Sequence, residues 1–414
     1  MTDTRQQLLD WIEADRAMLI EFFAGFVRAK SPNPPGDTGE AVAHIRRFLD
    51  ARALPYRIID PEPRFPNVVG TFEGGAGAGR HLVLNGHIDV FPVGEETWTH
   101  GPWSGAVADG KVWGRGACDM KCGTSASIFT YAYLHRVRDR LKGRLTLTAV
   151  SDEETFGPFG ARYLMEHHPE VHGDCCLNGE PSSPYTIRFG EKAPIWLAVT
   201  VTTRGSHGAY THTSASATKI AAKLIGELEA LTDIPVEAPH NVASALTAAR
   251  EAIDKAQGAG AADIIQKVTV NIGRIEGGLK VNMVPGHCRF EVDIRLPVGA
   301  TKERIMAAVR AIVGCFPEAK VEEINSQLPS WCDPYGDMVG ILQDNVEALR
   351  GFRPTPIVSL GGTDARLWRL ANVPAYVYGP KPTNMGAADE HVEIDEFLHV
   401  VRTHVLSAHD YLTR

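Results

Sequence analysis

The stretch His81-Leu-Val-Leu-Asn-Gly-His-Ile-Asp89 decides how the fold is read. Its apolar run, broken at Gly86 and followed at once by groups of ligand type, predicts a buried strand whose C-terminal end opens into a site. His87-Ile-Asp89 is a compact way to offer a metal an imidazole and to fix it with a carboxylate. That carboxylate takes the proton of the far ring nitrogen, which sets the tautomer and raises ligand basicity. A histidine near a strand end is commonly a satisfied core residue, so the motif gains weight only from what recurs at later strand ends.

On the N-terminal side, residues 4–29 carry apolar groups at helical spacing and stop before Ser31-Pro-Asn-Pro-Pro-Gly36, a loop by composition. A second helix over 39–53 leads into short strands near 56–59 and 68–72. On the C-terminal side, Gly110-Lys-Val-Trp-Gly-Arg-Gly116 is punctuated by glycine but lacks the Lys-Ser/Thr pair of a phosphate loop. A helix from Gly123 to Val137 precedes the strand Arg144–Val150, which ends in Ser151-Asp-Glu153-Glu154. A further apolar segment ends at Leu177-Asn-Gly-Glu180-Pro. Strands alternating with helices, with polar groups at the strand ends, predict an α/β fold: a mixed, mostly parallel sheet flanked by helices, with its site along the strand ends.

The character changes after about residue 193. Strands near 195–203, 268–275, 288–296 and 319–325, with helices at 214–231 and 302–314, give a β-α-β-β-α-β order. This suits an inserted two-layer α+β domain. An Ala-rich piece at 241–265 reads as extra helix broken at Gly258-Ala-Gly260. The expected division is 1–192 with 329–414 as one domain and 193–328 as the insertion, in keeping with 414 residues being too many for one ordinary core.

Composition excludes several classes. Charged residues at 22% and hydrophobic residues at 44% are ordinary for a globular protein, and a net charge of −8 without a basic cluster argues against nucleic-acid binding. No secretory signal and no apolar run of membrane-spanning length is visible, so a cytoplasmic location is the default expectation. Seven scattered cysteines do not form a disulfide framework, and Cys118 and Cys122, flanking Asp119, read as small buried residues.

His87, Asp119, Glu154 and Glu180 each fall at the end of an apolar strand or in the turn after one. Taken singly, each acid reads as a loop carboxylate or helix cap; four such ligands together suit a divalent metal. Imidazole and oxygen donors without thiolate fit Zn, Mn or Co.

These residues resemble a known family. Gly86-His87-Ile-Asp89, Gly114-Arg-Gly-Ala-Cys-Asp119-Met-Lys, Asp152-Glu153-Glu154 and Asn178-Gly-Glu180-Pro are similar to the motifs of the M20 metallopeptidases, which include acetylornithine deacetylase, succinyl-diaminopimelate desuccinylase and glutamate carboxypeptidase. The resemblance extends to the insertion, which would be the family's lid and dimerisation domain. It implies that Asp119 bridges two metal positions, with His87 and Glu180 completing one and Glu154 belonging to the other. Asp89 would support His87. Glu153 would be the general base, which suits metal-assisted hydrolysis because a carboxylate held close can shuttle a proton to the leaving nitrogen. In the insertion, Arg204-Gly-Ser-His207-Gly resembles the segment whose histidine reaches a neighbouring subunit's site to stabilise an oxyanion, implying a homodimer. Asn282, Arg295, Gly362 and Thr363 match substrate-holding positions; an arginine fork suits a carboxylate.

The resemblance fails at one place. The family's last ligand is a histidine two residues before an Asp/Asn-Glu pair, and Gly386 stands there, ahead of Asp389-Glu390-His391. Either His391 swings in from a rearranged loop, or one metal is held well and the other poorly. The second is the expectation, because a five-residue shift turns the loop around. The leading reading is a metallohydrolase that cleaves an amide C–N bond in a small carboxylate-bearing substrate, with one or two metals per subunit. The alternatives are an aminohydrolase releasing ammonia from an electron-poor aromatic amine, with Trp98, Trp103, Trp331 and Tyr335 stacking on it, and a binding protein without catalysis.

Overall fold

The computed structural model describes residues 3–414. The chain forms two compact units, one of Met1–Phe189, Cys332–Ile357 and Thr363–Arg414, the other of Gly190–Trp331 and Val358–Gly362.

The first unit is built on a mixed sheet in the order Arg57–Ile59, Asn67–Glu73, Arg144–Val150, His81–His87, Cys175–Asn178, Ala375–Val377, Thr186–Glu191. Its centre is parallel: His81–His87 runs with Arg144–Val150 and with Cys175–Asn178, which runs with Ala375–Val377. The two long parallel strands are buried from their second residue onward, as near-continuous apolar runs must be when both faces are covered. Register decides where the chemistry emerges. His87 pairs with Val150 and Asn85 with Asn178, so the residues that leave these strands do so along one sheet edge.

The helix Cys122–Arg136 is buried from Cys122 to Leu134, and the long Ile394–Thr413 helix packs on it. Its first turn comes so near the turn after Asn178 that a Cβ on Gly123 would lie 1.9 Å from the carbonyl oxygen of Gly179. Thr124 Oγ1 donates to the carbonyl of His87 at 2.7 Å, fastening the helix start to the strand end. The single expected helix at the N-terminus is two, Thr4–Ala14 and Arg16–Arg28, separated at Asp15, whose carboxylate accepts from the Tyr133 hydroxyl at 2.9 Å. The glycine-punctuated 110–116 segment, to which the sequence pattern assigns no element, contains the strand Lys111–Trp113. It lies between Ala106–Ala108 and His391–Glu393 in a small antiparallel sheet.

The second unit is a four-stranded antiparallel sheet in the order Thr269–Gly277, His287–Leu296, Ala193–Thr202, Ala319–Ser326. Alternation along His287–Leu296 buries Cys288, Phe290, Val292, Ile294 and Leu296 against the helices Ala217–Leu228 and Lys302–Gly314. The Ala-rich piece forms three short helices, His240–Ala248, Arg250–Gln257 and Ala261–Ile264, the last two parted at Gly258 and Gly260. Among the described residues no helix is long and apolar enough to cross a membrane.

Candidate metal centre and active site

His87 ends its strand with the ring buried. Nε2 lies 3.1 Å from Asp119 Oδ1 and 3.2 Å from Glu180 Oε1. On the other side, Nδ1 is 2.9 Å from the backbone carbonyl of Asp89 and 3.7 Å from its carboxylate. Asp89 thus meets the ring through its backbone carbonyl, with its carboxylate just beyond hydrogen-bond distance and engaged elsewhere as well. Asp89 Oδ1 accepts the backbone N–H of Glu153 at 3.2 Å, while Oδ2 accepts that of Glu154 at 3.1 Å and the Asn33 amide at 2.9 Å. Asp89 thus fixes the backbone that carries both glutamates, and the two side chains diverge from that anchored point.

The turn is wound further around Asp152, whose Oδ1 accepts from Asn33 at 3.1 Å and from Thr155 at 2.8 Å. Asp152 has φ +64°, a conformation that a short polar side chain tolerates. Asp119 sits where the chain enters the buried helix. The backbone N–H groups of Cys118 and Asp119 donate to Glu390 Oε1 at 2.9 and 3.1 Å, and Glu390 Oε2 pairs with buried Arg115 at 2.6 Å. Lys121, completely buried, donates to the carbonyls of Phe26 and Ala29 at 3.0 and 2.6 Å, and burial pulls its pKa down to about 7.

Two groups of side chains bring ligand atoms within 4.8 Å of one another: His87 with Asp119 and Glu154, and His87 with Glu153 and Glu180. Burial raises the carboxyl pKa values of Glu153 and Glu154 well above 4.5, and that of Glu180 to about 7; neighbouring acids add to the effect and His87 opposes it. Burial depresses His87, but the charge of Glu180 and the hydrogen bonds to Asp119 and Glu180 outweigh it and lift the ring well above 6.5. So many acids buried together are stable as anions only beside positive charge. Glu154 Oε1 is also buried with no hydrogen-bond partner. An acceptor aimed at no donor, among oxygen and imidazole ligands, fits a divalent cation.

Gly386 and His391 do not join these groups. Gly386 has φ +74° and its carbonyl accepts from Arg115 Nη2 at 3.1 Å. His391 begins a strand paired with Trp113, its ring 4.3 Å from the indole and its Nδ1 2.8 Å from the carbonyl of Asp389. The rearranged loop that would bring His391 in as a ligand is absent among the described residues. Trp98 is turned to Arg115, whose guanidinium lies 5.2 Å from its ring centre.

Of the substrate-type candidates, Thr363 is in the first unit, buried, with its carbonyl accepting from Arg366 at 2.6 Å. His207, Asn282, Arg295 and Gly362 are in the second unit. There His207 pairs with Met283, and the Gly208 N–H donates to the carbonyl of Asn282 at 2.7 Å. Arg295 gives Nε and Nη2 to Asp293 Oδ2 at 3.0 and 2.9 Å, so its fork is engaged within its own strand. Asn33, Arg115, Glu390, Asp364 and Arg366 are supporting residues to which the sequence pattern assigned no role.

Residues 83–410 match the profile of peptidase family M20/M25/M40. A succinyl-diaminopimelate desuccinylase of Cereibacter sphaeroides is 30% identical over 411 residues, covering 95% of this chain and 99% of its own. Aminoacylase-1 of Sus scrofa is 26% identical over 421 residues, covering 92% and 90%. The crystal structure of Sso-CP2, an M20 family metallo-carboxypeptidase from Sulfolobus solfataricus, superposes with a TM-score of 0.82 at 17% identity, covering 96% of this chain and 99% of that one. With its profile match running from the central strand to the C-terminal helix and a relative aligned nearly end to end, the chain belongs to peptidase family M20/M25/M40 and is a metallohydrolase of C–N bonds.

Proposed function

We propose that this protein hydrolyses the amide bond of a small N-acyl amino acid or similar carboxylate-bearing substrate, in the manner of a deacylase. The observation that carries the reading is the setting of Glu153: buried, anchored through its backbone to Asp89, and within reach of the His87 and Glu180 ligand atoms. A bound divalent metal supplies a lowered water pKa and polarisation of the scissile carbonyl. His87, Asp119, Glu154 and Glu180 would hold it.

Glu153 takes the proton from the attacking water and delivers it to the leaving nitrogen. Burial supports that role, since a carboxyl raised well above 4.5 both accepts a proton and keeps it between steps. Asp89 acts through backbone anchoring. His207 serves as an oxyanion donor, in a homodimer formed through the second unit, and Asn282, Gly362 and Thr363 contact the substrate. Arg295 takes the substrate carboxylate, sharing its fork with Asp293. Exposed Ile275, Leu279 and Val281, on and beyond the edge strand Thr269–Gly277, support that unit as the subunit interface. Gly386 in place of an imidazole supports one tightly held metal per chain.

The test is elemental analysis of protein purified without chelator, followed by assays on a panel of N-acetyl- and N-succinyl-amino acids and on aminobenzoates. Metal-dependent release of the free amino acid is expected. Ammonia release from an aminobenzoate with no deacylation would instead establish the aromatic aminohydrolase reading.

A further inference from the structure

Arg366, in the short helix Ala365–Leu370 of the first unit, is almost wholly buried. Its Nη1 donates to the carbonyl of Thr363 at 2.6 Å and lies 3.6 Å from Glu153 Oε1 and 3.8 Å from Asp364 Oδ1. The guanidinium sits 4.8 Å from the ring centre of Phe156, three residues after Glu153. Nε is buried without a hydrogen-bond partner. One planar, permanently charged group therefore touches both the Glu153–Phe156 turn and the Thr363–Asp364 segment. A buried arginine donor without a partner calls for an explanation, and the planar, permanently charged group set beside the Glu153 carboxylate offers one.

We propose that Arg366 is a positioning residue. It holds the Glu153 carboxylate at a fixed distance from the Thr363 segment, so that Glu153 faces the substrate as a base and does not close onto His87 and Glu180 as an additional ligand. Glu153 is near enough to both for that competition to matter, since its oxygen lies within 4.8 Å of their ligand atoms. The rigid guanidinium fork suits this role, because a lysine would keep the charge but not the orientation. This inference rests on the reading of Glu153 as the base.

The test uses the full chain, reconstituted with Zn, and whichever N-acetyl- or N-succinyl-amino acid is turned over fastest. R366Q is expected to lower kcat about 100-fold, the scale of a displacement near 1 Å in a reacting group, with KM changed less than about threefold. R366K should fall between R366Q and the wild type. Zn content per chain, measured separately, should stay constant or rise as Glu153 is freed to ligate. Because Arg366 acts through Glu153, R366Q should add almost nothing to E153Q in a double-mutant cycle, and guanidinium ion should restore part of the activity of R366A.

Wild-type kcat in R366K and R366Q, with E153Q inactive, overturns the inference and leaves the deacylase reading standing. Full additivity in the cycle overturns it as well. If R366Q does not fold, R366K decides alone: unchanged kcat rejects the positioning role, and a loss of about tenfold at constant KM and Zn content supports it. An active E153Q would reject the base itself, and this inference with it.

Discussion

At the scale of single residues, the site separates two jobs that the linear motif merges. His-x-Asp implies one carboxylate serving one imidazole, but the Asp89 carbonyl serves His87 and its carboxylate serves the Glu153–Glu154 backbone. The consequence is that Glu153 is held by its main chain, leaving its side chain available for proton transfer. E153Q, nearly isosteric, should keep the fold and the metal while kcat falls about 10²–10⁴-fold, the usual worth of a general base; kcat within a few-fold of wild type, in protein with unchanged metal content, would reject the role. Gly386 makes a second residue-scale prediction. A Cβ there would meet only the Phe91 ring, at 3.7 Å, an ordinary contact, and histidine is among the residues that tolerate positive φ. If the chain holds one metal, as proposed, G386H should fold, at the strain a side chain meets at φ +74°, and raise metal content to about two per chain by elemental analysis. A ratio unchanged by the substitution would mean that the loop does not aim position 386 at the ligands.

At the scale of elements, the site depends on a helix meeting a sheet more closely than side chains allow. Gly123 and Gly179 lie against each other, and the contact brings the Cys122–Arg136 helix, just after Asp119, up to the turn that leads into Glu180. G123A forces a Cβ to within 1.9 Å of a carbonyl oxygen, so helix and turn must separate. Overpacking of this kind costs about 1–3 kcal/mol. Thermal unfolding should show that loss, and metal affinity should fall with it; wild-type affinity in G123A would show that the turn adjusts without moving Glu180. The same elements explain what was legible. Long strands and helices announce themselves by period, and the runs ending at His87, Val150 and Asn178 were readable because both faces are buried. Lys111–Trp113 and His391–Glu393 were not, since three residues carry no period. Arg115 and Glu390 lie inside motifs that were read, but their roles, like that of Arg366, were not legible because only the tertiary fold pairs Glu390 with Arg115 and the Asp119 backbone, and Arg366 with Glu153.

At the scale of the whole molecule, the first unit carries histidines that make it sensitive to acid. His404, on the long C-terminal helix, donates from Nε2 to the carbonyl of Tyr378 at 2.7 Å, and its Nδ1 is buried without a partner. Protonating Nδ1 would place an unpaired charged donor in the core, so burial pushes the ring down to about 4, with the Tyr378 hydrogen bond only partly offsetting it. Burial likewise brings His399, five residues earlier, to about 3. The sign follows from proton counting. Between pH 6.5 and about 4 the unfolded chain binds a proton at His404 that the folded chain refuses, so stability is complete above pH 6.5 and declines as pH falls towards 4. The shift amounts to roughly 3 kcal/mol across that window. H404Q keeps a donor for Tyr378 but cannot take up a proton. Denaturant unfolding at pH 7 and at pH 4.5, with metal load held constant, should show a smaller acid loss in H404Q by roughly 2 kcal/mol or more. An identical loss in both proteins would assign the acid sensitivity to other groups and leave His404 a packing residue.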